Sequence, residues 1–256
     1  SGSLILVNKI HPIYTEHSNQ SELTLLSEES QPILLEKETA AVLERLIGDI
    51  NGRKSILAVS GYRTQKEQRA IYSDSLKANG PDFTRRYVAL PNQAEVYAES
   101  EPGYAQAPGC SEHQTGLAVD LGLRQKEIDF IRPYFPDEGV CGRFKELAPV
   151  YGFIQRYKRS KENITGISEE PWHFRYIGRP HAELAECLHM ALEEYIEELK
   201  KYPQDSPLRF KSALNQSYEI FYAPSNGKAQ TVRLPDDIPY NISGNNTDGF
   251  IITLWR

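Results

Sequence analysis

The stretch SEHQTGLAVDLG, residues 111 to 122, puts a histidine in a glycine-punctuated turn and an aspartate inside what otherwise reads as a buried strand. An ionised carboxylate without a partner is costly to bury, so Asp120 requires a cation, a set of hydrogen-bond donors or a metal ion. Gly116 and Gly122 give the backbone room to turn into and out of the strand. His113 stands seven residues before Asp120, and a second histidine, His173, lies in EEPWHFRY with Glu170 three residues ahead of it. Two imidazoles and one carboxylate are a standard ligand set for catalytic zinc, leaving the fourth position for water. A nearby Glu that does not ligate can then take a proton from that water. Spacing alone leaves two readings of Asp120 open: a ligand in such a set, or the buried ion-pair partner of an arginine such as Arg63 or Arg175.

The remaining histidines read as ordinary. His11 and His17 lie in a polar lead-in, and His181 and His189 lie in or beside the last long helix among exposed-looking residues. The three cysteines, Cys110, Cys141 and Cys187, are odd in number and lack CxxC spacing, which excludes a disulfide framework and a thiolate zinc site. Three buried thiols is the expectation, with one oxidised pair as the alternative in an exported protein.

At 256 residues, with 39% hydrophobic and 25% charged residues, the chain suits one sizeable core with an appendage, or two small domains. The net charge of -6 carries no basic excess, so nucleic acid and anionic membrane surfaces are not expected partners. No apolar run reaches the ~18 residues that span a bilayer. The opening SGSLILVNKI is too short and polar for a signal peptide, and its SGS resembles a cloning scar.

Residues 1–32 read as an extended lead-in over the surface, rich in Ser, Glu and Asn. Leu35, Thr39, Leu43, Leu46, Ile47 and Ile50 recur at helical spacing, with Gly48 and Gly52 marking the end. SILAVS is a strand, Gly61, Tyr62 and Arg63 lie at a strand-to-helix turn, and Thr64 with Glu67 has capping-box spacing. Residues 79–110 alternate a short helical piece with Pro/Gly loops, as a site wall or lid does. Strands GLAVDLGL, GFIQRY and WHFRYIG follow, with a helix around RFKELAPVY, and one helix of more than 15 residues begins at Pro180. Beyond Tyr202, SYEIFYAP and TVRLP read as a hairpin and GFIITLW as a further strand. The expected division is 1–32 lead-in, 33–202 catalytic domain and 203–256 a small β-rich appendage with a structural or docking role.

SGYRT with Gln68 shortly after, then SEHQTGLAVD, then GFIQRY and TGISEEPWHFRYIG, resemble the VanY-type D-alanyl-D-alanine carboxypeptidases over roughly residues 35 to 200. That family belongs to the lysostaphin, DD-peptidase and Hedgehog-like (LAS) fold group. The resemblance implies an α+β fold with a central antiparallel sheet flanked by helices. It implies zinc on His113, Asp120 and His173, Glu170 as general base and acid, and Arg63 stabilising the oxyanion. It further implies that Ser111 and Gln68 hold the substrate's terminal groups, while Trp172 reads as a wall of the site. The implied activity removes the terminal D-Ala from peptidoglycan pentapeptide stems or their precursors, in cell-wall remodelling or glycopeptide resistance.

Rival readings are an L,D-carboxypeptidase on tetrapeptide stems, a dipeptidase on free D-Ala-D-Ala, and a zinc-containing binding module of the same fold. Glu170 argues against the last, since a pure binder needs no base. A serine or cysteine nucleophile is not expected, because no GxSxG elbow exists and Cys110 lacks an activating geometry. The expected setting is extracytoplasmic in a bacterium, as a monomer, secreted or held at the membrane only through a segment outside this sequence, with a cytoplasmic site acting on precursors as the alternative.

Overall fold

The computed structural model describes residues 1–14, 22–27, 32–78, 86–89, 95–98, 105–229 and 231–256. Strands β1 (Leu23–Ser27) and β2 (Ile33–Glu36) pair antiparallel and lead into helix α1 (Lys37–Asp49). Leu35 therefore ends up on a strand rather than on the helix. The boundary is set by Glu36, whose carboxylate accepts from the backbone N–H of Glu38 at 3.0 Å and of Thr39 at 2.9 Å. At the other end the helix runs through Gly48, and Asn51, with φ 58°, makes the left-handed turn, so that Gly52 N–H closes onto Ile47 O at 2.7 Å. Thr39, Val42, Leu43 and Leu46 form the buried face.

Strand β3 (Ile56–Ser60) precedes helix α2 (Gln65–Ala78). The capping box is present: Thr64 N–H donates to Glu67 Oε2 at 2.7 Å and Glu67 N–H to Thr64 Oγ1 at 3.2 Å. Strands β4 (Arg86–Ala89) and β5 (Glu95–Ala98) pair antiparallel, and the rest of residues 79–104, where a wall or lid is expected, lies outside the described residues. Then come β6 (Ala118–Leu123), α3 (Gly139–Leu147), β7 (Phe153–Tyr157), α4 (Glu162–Thr165) and β8 (Glu170–Tyr176).

The central sheet has the antiparallel order β3-β6-β8-β7. One face packs on α1 through Leu43, Leu46, Val119, Leu121 and Phe174, together with an edge-to-face cluster of Phe135, Phe144 and Phe174. Each such buried side chain contributes about 1.5–3 kcal/mol relative to exposure. The Asp120–His173 pairing across β6 and β8, and the Ser60–Asp120 pairing across β3 and β6, bring polar residues from three strands to one place.

The single long helix expected from Pro180 is two helices, α5 (His181–Cys187) and α6 (Leu192–Leu199). His189 takes φ 53°, and Met190 N–H bonds Ala185 O at 2.9 Å, which closes α5 as a left-handed cap. Ala191 N–H then donates to the Glu194 carboxylate at 2.8 Å and starts α6. Strands β9 (Leu208–Lys211), β10 (Ser217–Pro224), β11 (Tyr240–Gly244) and β12 (Gly249–Trp255) form a second antiparallel sheet of order β11-β12-β10-β9.

TVRLP is not a strand, and the hairpin expected with β10 does not form. GFIITLW takes the place beside β10 over its whole length, and Val232 and Leu234 instead cover a small core of Phe221, Ile252 and Leu254. Pro235, without an N–H to give a ladder, fits the looser role.

The second sheet shares a core with α5 and α6: Leu184, Leu192, Tyr195, Ile196 and Leu199 pack with Tyr218, Ile220 and Ile251. The lead-in does not stay on the surface. Leu4 and Leu6 enter that same core, Leu4 N–H donates to Ser243 Oγ at 2.9 Å, and Leu6 N–H to Asn245 O at 3.0 Å. All three cysteines are free thiols, but only Cys141 is buried. Cys110 is half-buried and Cys187 exposed.

Candidate active site

The register of β6 and β8 sets His173 beside Asp120, and the turn before β6 brings His113 to the same carboxylate. Asp120 Oδ1 lies 3.0 Å from His173 Nδ1, and Oδ2 lies 3.2 Å from His113 Nε2. Ligand atoms from the three residues all fall within 4.8 Å of one another. His113 reaches this position through a 3₁₀ turn, residues 112–115, closed by Gly116 at φ 73°.

Its other nitrogen, Nδ1, is 2.7 Å from Gly61 O. A carbonyl only accepts, so Nδ1 carries the proton and the Nε2 lone pair faces Asp120. Gly61 is needed there, since a Cβ would sit 2.4 Å from Leu34 O and displace the carbonyl that orients His113.

A lone pair facing a carboxylate oxygen calls for a cation between them. Burial pushes the His113 imidazole below its ordinary pKa, helped by the Arg63 guanidinium and opposed by Asp120, so a proton does not fill that role. The donor set fits a divalent metal of the zinc type, with two imidazole nitrogens and one carboxylate in convergent positions. Around His173, burial favours the neutral ring, but Asp120, Glu112 and Glu170 outweigh it and raise the ring to about 9. These carboxylates suit a positive charge at this position. Burial also favours neutral Asp120, yet the two histidines overcome it and hold the carboxyl well below the usual range.

Glu170, at the first residue of β8, has Oε2 3.6 Å from His173 Nδ1. Burial raises its carboxyl to about 7; Asp120 and Glu112 add to the rise, and His173 and Arg63 oppose it. Arg63 comes from the turn after β3. Its Nη2 contacts Asp120 Oδ2 at 3.2 Å, so of the two arginines weighed as partners of Asp120 it is Arg63 that makes the pair. Arg175 pairs with Glu112 instead.

Ser60, at the bulged end of β3, accepts from Arg63 Nε at 3.0 Å and Nη2 at 2.8 Å. Gln68 accepts from Arg63 Nη1 at 3.4 Å and donates to Gln106 O at 2.6 Å. Ser111 is buried beside His113, and its hydroxyl makes no capping bond to the 3₁₀ turn. Trp172 is half-buried against the main core.

Sequence reasoning did not single out Ser60, Glu112, Arg156 or Tyr157. Glu112 is fully buried and lies in an ion network with Arg156, Arg175 and Glu193. Burial favours its neutral form, but the two guanidiniums and His173 hold it well below the usual carboxylate range. The Tyr157 ring packs against His173 with centroids 4.8 Å apart. Glu112 carried a legible signal, a charge beside His113 in an otherwise buried turn. Ser60 carried none, because its role depends on the β3–β6 register.

An antiparallel sheet that gathers two histidines, an aspartate and a glutamate at one place is the arrangement of the LAS-fold metallopeptidases. Residues 32–179 match the family model described as VanY, D-alanyl-D-alanine carboxypeptidase, and the chain belongs to that family. It is 41% identical over 194 residues to the bifunctional D-Ala-D-Ala dipeptidase and D-Ala-D-Ala carboxypeptidase VanXYC of Enterococcus gallinarum, covering 75% of this chain and 93% of that one. The solved vancomycin-resistance D,D-dipeptidase VanXYg, in complex with a D-Ala-D-Ala phosphinate analogue, superposes with TM-score 0.85 at 46% identity, covering 100% of this chain and 94% of that one. A mutant of the D,D-pentapeptidase VanY from a VanB-type resistance cassette, solved with Zn(II), matches with TM-score 0.54 at 30% identity, over 76% of this chain and 98% of that one.

Proposed function

We propose that the chain hydrolyses the peptide bond of a free D-Ala-D-Ala terminus, releasing D-Ala from peptidoglycan pentapeptide stems or their precursors, with zinc held by His113, Asp120 and His173. The observation that carries this reading is the convergence of those three residues beside a buried Glu170 in a chain of this family. Bound there, zinc supplies a Lewis acid that polarises the scissile carbonyl and acidifies water.

Glu170 accepts the proton of the attacking water and returns it to the departing amine nitrogen. Burial, which raises this carboxyl above the ordinary range, helps it to keep the proton until it is returned. Arg63, held by Ser60 and Asp120, donates to the carbonyl oxygen as negative charge builds on it. Ser111 presents its hydroxyl to the terminal carboxylate, and Trp172 walls the site. Gln68 has both amide ends engaged, so it reaches substrate only by giving up its bond to Gln106.

A second reading, D,D-dipeptidase activity on free D-Ala-D-Ala, is supported by the matches to VanXYC, over 75% of this chain, and to VanXYg, over 100% of it. The test is incubation with a pentapeptide stem, a tetrapeptide stem and the free dipeptide, with products identified by mass, on protein whose zinc has been counted. About one zinc per chain and conversion of pentapeptide to tetrapeptide plus D-Ala are expected, and dipeptide cleavage adds the second activity. Cleavage of the tetrapeptide alone, or turnover untouched by chelators, overturns the reading.

A further inference from the structure

Glu112 lies between Ser111 and His113, with its side chain fully buried, and its two carboxylate oxygens do different things. Oε1 accepts from Arg156 Nε at 2.8 Å, and Arg175 Nη1 sits 2.8 Å from the same oxygen in an ion-pair contact whose angle is not that of a hydrogen bond. Oε2 is left to face His173 Nε2 at 3.5 Å, the outer edge of hydrogen-bond distance. The opposite nitrogen of that ring, Nδ1, is the one directed at Asp120.

An imidazole offers a metal a lone pair on one nitrogen only when the proton is on the other, and an acceptor at the far nitrogen fixes both the tautomer and the ring plane. Gly61 O does this for His113. Glu112 stands in the corresponding position for His173.

The arginines explain why Glu112 is steady enough for that task. Arg156 also donates through Nη1 and Nη2 to Glu193 on α6, at 2.9 and 2.6 Å. Arg175 donates through Nη2 to Ser3 O at 3.0 Å and Ile5 O at 2.8 Å. With two guanidiniums and two carboxylates the cluster is balanced in charge, so Glu112 has counterions besides His173. The lead-in and α6 thus brace one carboxylate against the back of a ligand.

We propose that Glu112 is a positioning residue that receives the Nε2–H of His173 and so holds Nδ1 on the metal position, with Arg156 and Arg175 fixing Glu112 in turn. The inference rests on the metal reading of His113, Asp120 and His173.

Two measurements test it. Zinc affinity, by competition with a colorimetric chelator, is expected to fall roughly 10- to 100-fold in Glu112→Gln, the range for losing such an outer partner. In zinc-loaded wild-type protein with nitrogen-15-labelled histidine, the His173 Nε2–H is expected as a slowly exchanging resonance, with Nδ1 unprotonated. This second measurement needs no variant and stands if Glu112→Gln fails to fold.

A wild type that binds no zinc overturns the metal reading and this inference together. A wild type that binds zinc with His173 Nε2 unprotonated or in rapid exchange overturns only the role of Glu112. So does a folded Glu112→Gln with zinc affinity within about threefold of wild type.

Discussion

Two regions of this molecule bury histidines, and they do so in opposite ways. At the catalytic end, His113 and His173 are enclosed with Asp120, Glu112, Glu170 and Arg63, so the pocket is dense in charge. At the junction of the helices with the second sheet, His181 is as buried but is met by hydroxyls, Tyr195 at 2.8 Å on Nδ1 and Thr253 at 2.8 Å on Nε2. Carboxylates draw positive charge to an imidazole, and hydroxyls in an apolar core do not. His173 is raised to about 9, whereas burial alone lowers His181 to about 3. The first environment suits a metal ion, and the second suits a neutral tie between two layers.

The sharpest break in that contrast comes from Glu170→Gln. The variant leaves His113, Asp120 and His173 in place but cannot accept a proton, so turnover on a D-Ala-D-Ala terminus is expected to fall roughly 100- to 10,000-fold. Zinc content, measured on the same sample, should match wild type. Turnover within about threefold of wild type would assign the base elsewhere, with the neighbouring Glu169 as first suspect.

Arg63→Ala ranks next. Its guanidinium is held by Ser60, Gln68 and Asp120 and is expected to strengthen its contact as the oxyanion forms, so the loss should fall mainly on the catalytic rate, by about two orders of magnitude. If Arg63 served only to neutralise Asp120, the variant would lose zinc or stability instead while its folded fraction turned over normally. Arg63→Lys should recover only part of the rate, because lysine keeps the charge and loses the planar fork.

The catalytic end was the more legible of the two regions. Ser111, His113, Asp120, Glu170 and His173 sit in short motifs whose spacing is fixed by one turn and one strand register, so the residues that converge are near one another in sequence or directly paired. The helix after Pro180 and the appendage were less legible because long-range packing decided them. His189 breaks the helix in a left-handed conformation that residues other than glycine seldom adopt, and nothing local announces it. β10 chose GFIITLW, 25 or more residues further along the chain, over the nearer TVRLP, a choice that period-2 patterning does not rank. His181 could be read only as an ordinary surface or core histidine for the same reason: its partner on β12 lies more than 70 residues later.

The smallest expected effect tests the neutral side of the comparison. Because the folded pKa of His181 is about 3 against an ordinary 6.5, the unfolded chain binds a proton between those values that the folded chain does not. Stability from this group is therefore complete above about pH 6.5 and is lost as pH falls toward 3, at about 1.4 kcal/mol per pH unit. Other groups titrate in the same window, Glu170 with the opposite sign, since its carboxyl is raised in the folded state. The informative quantity is thus the difference between wild type and His181→Gln, in which distant contributions cancel. Glutamine retains a donor and an acceptor for Tyr195 and Thr253 but has nothing to protonate. Denaturant unfolding from pH 7.5 to 4.5 should show the variant less stable near neutrality, with wild type losing about 3 kcal/mol relative to it by pH 4.5. A difference that stays flat across that range would mean that His181 takes up a proton in the folded protein as readily as in the unfolded chain, and the contrast between the two buried histidine environments would fail.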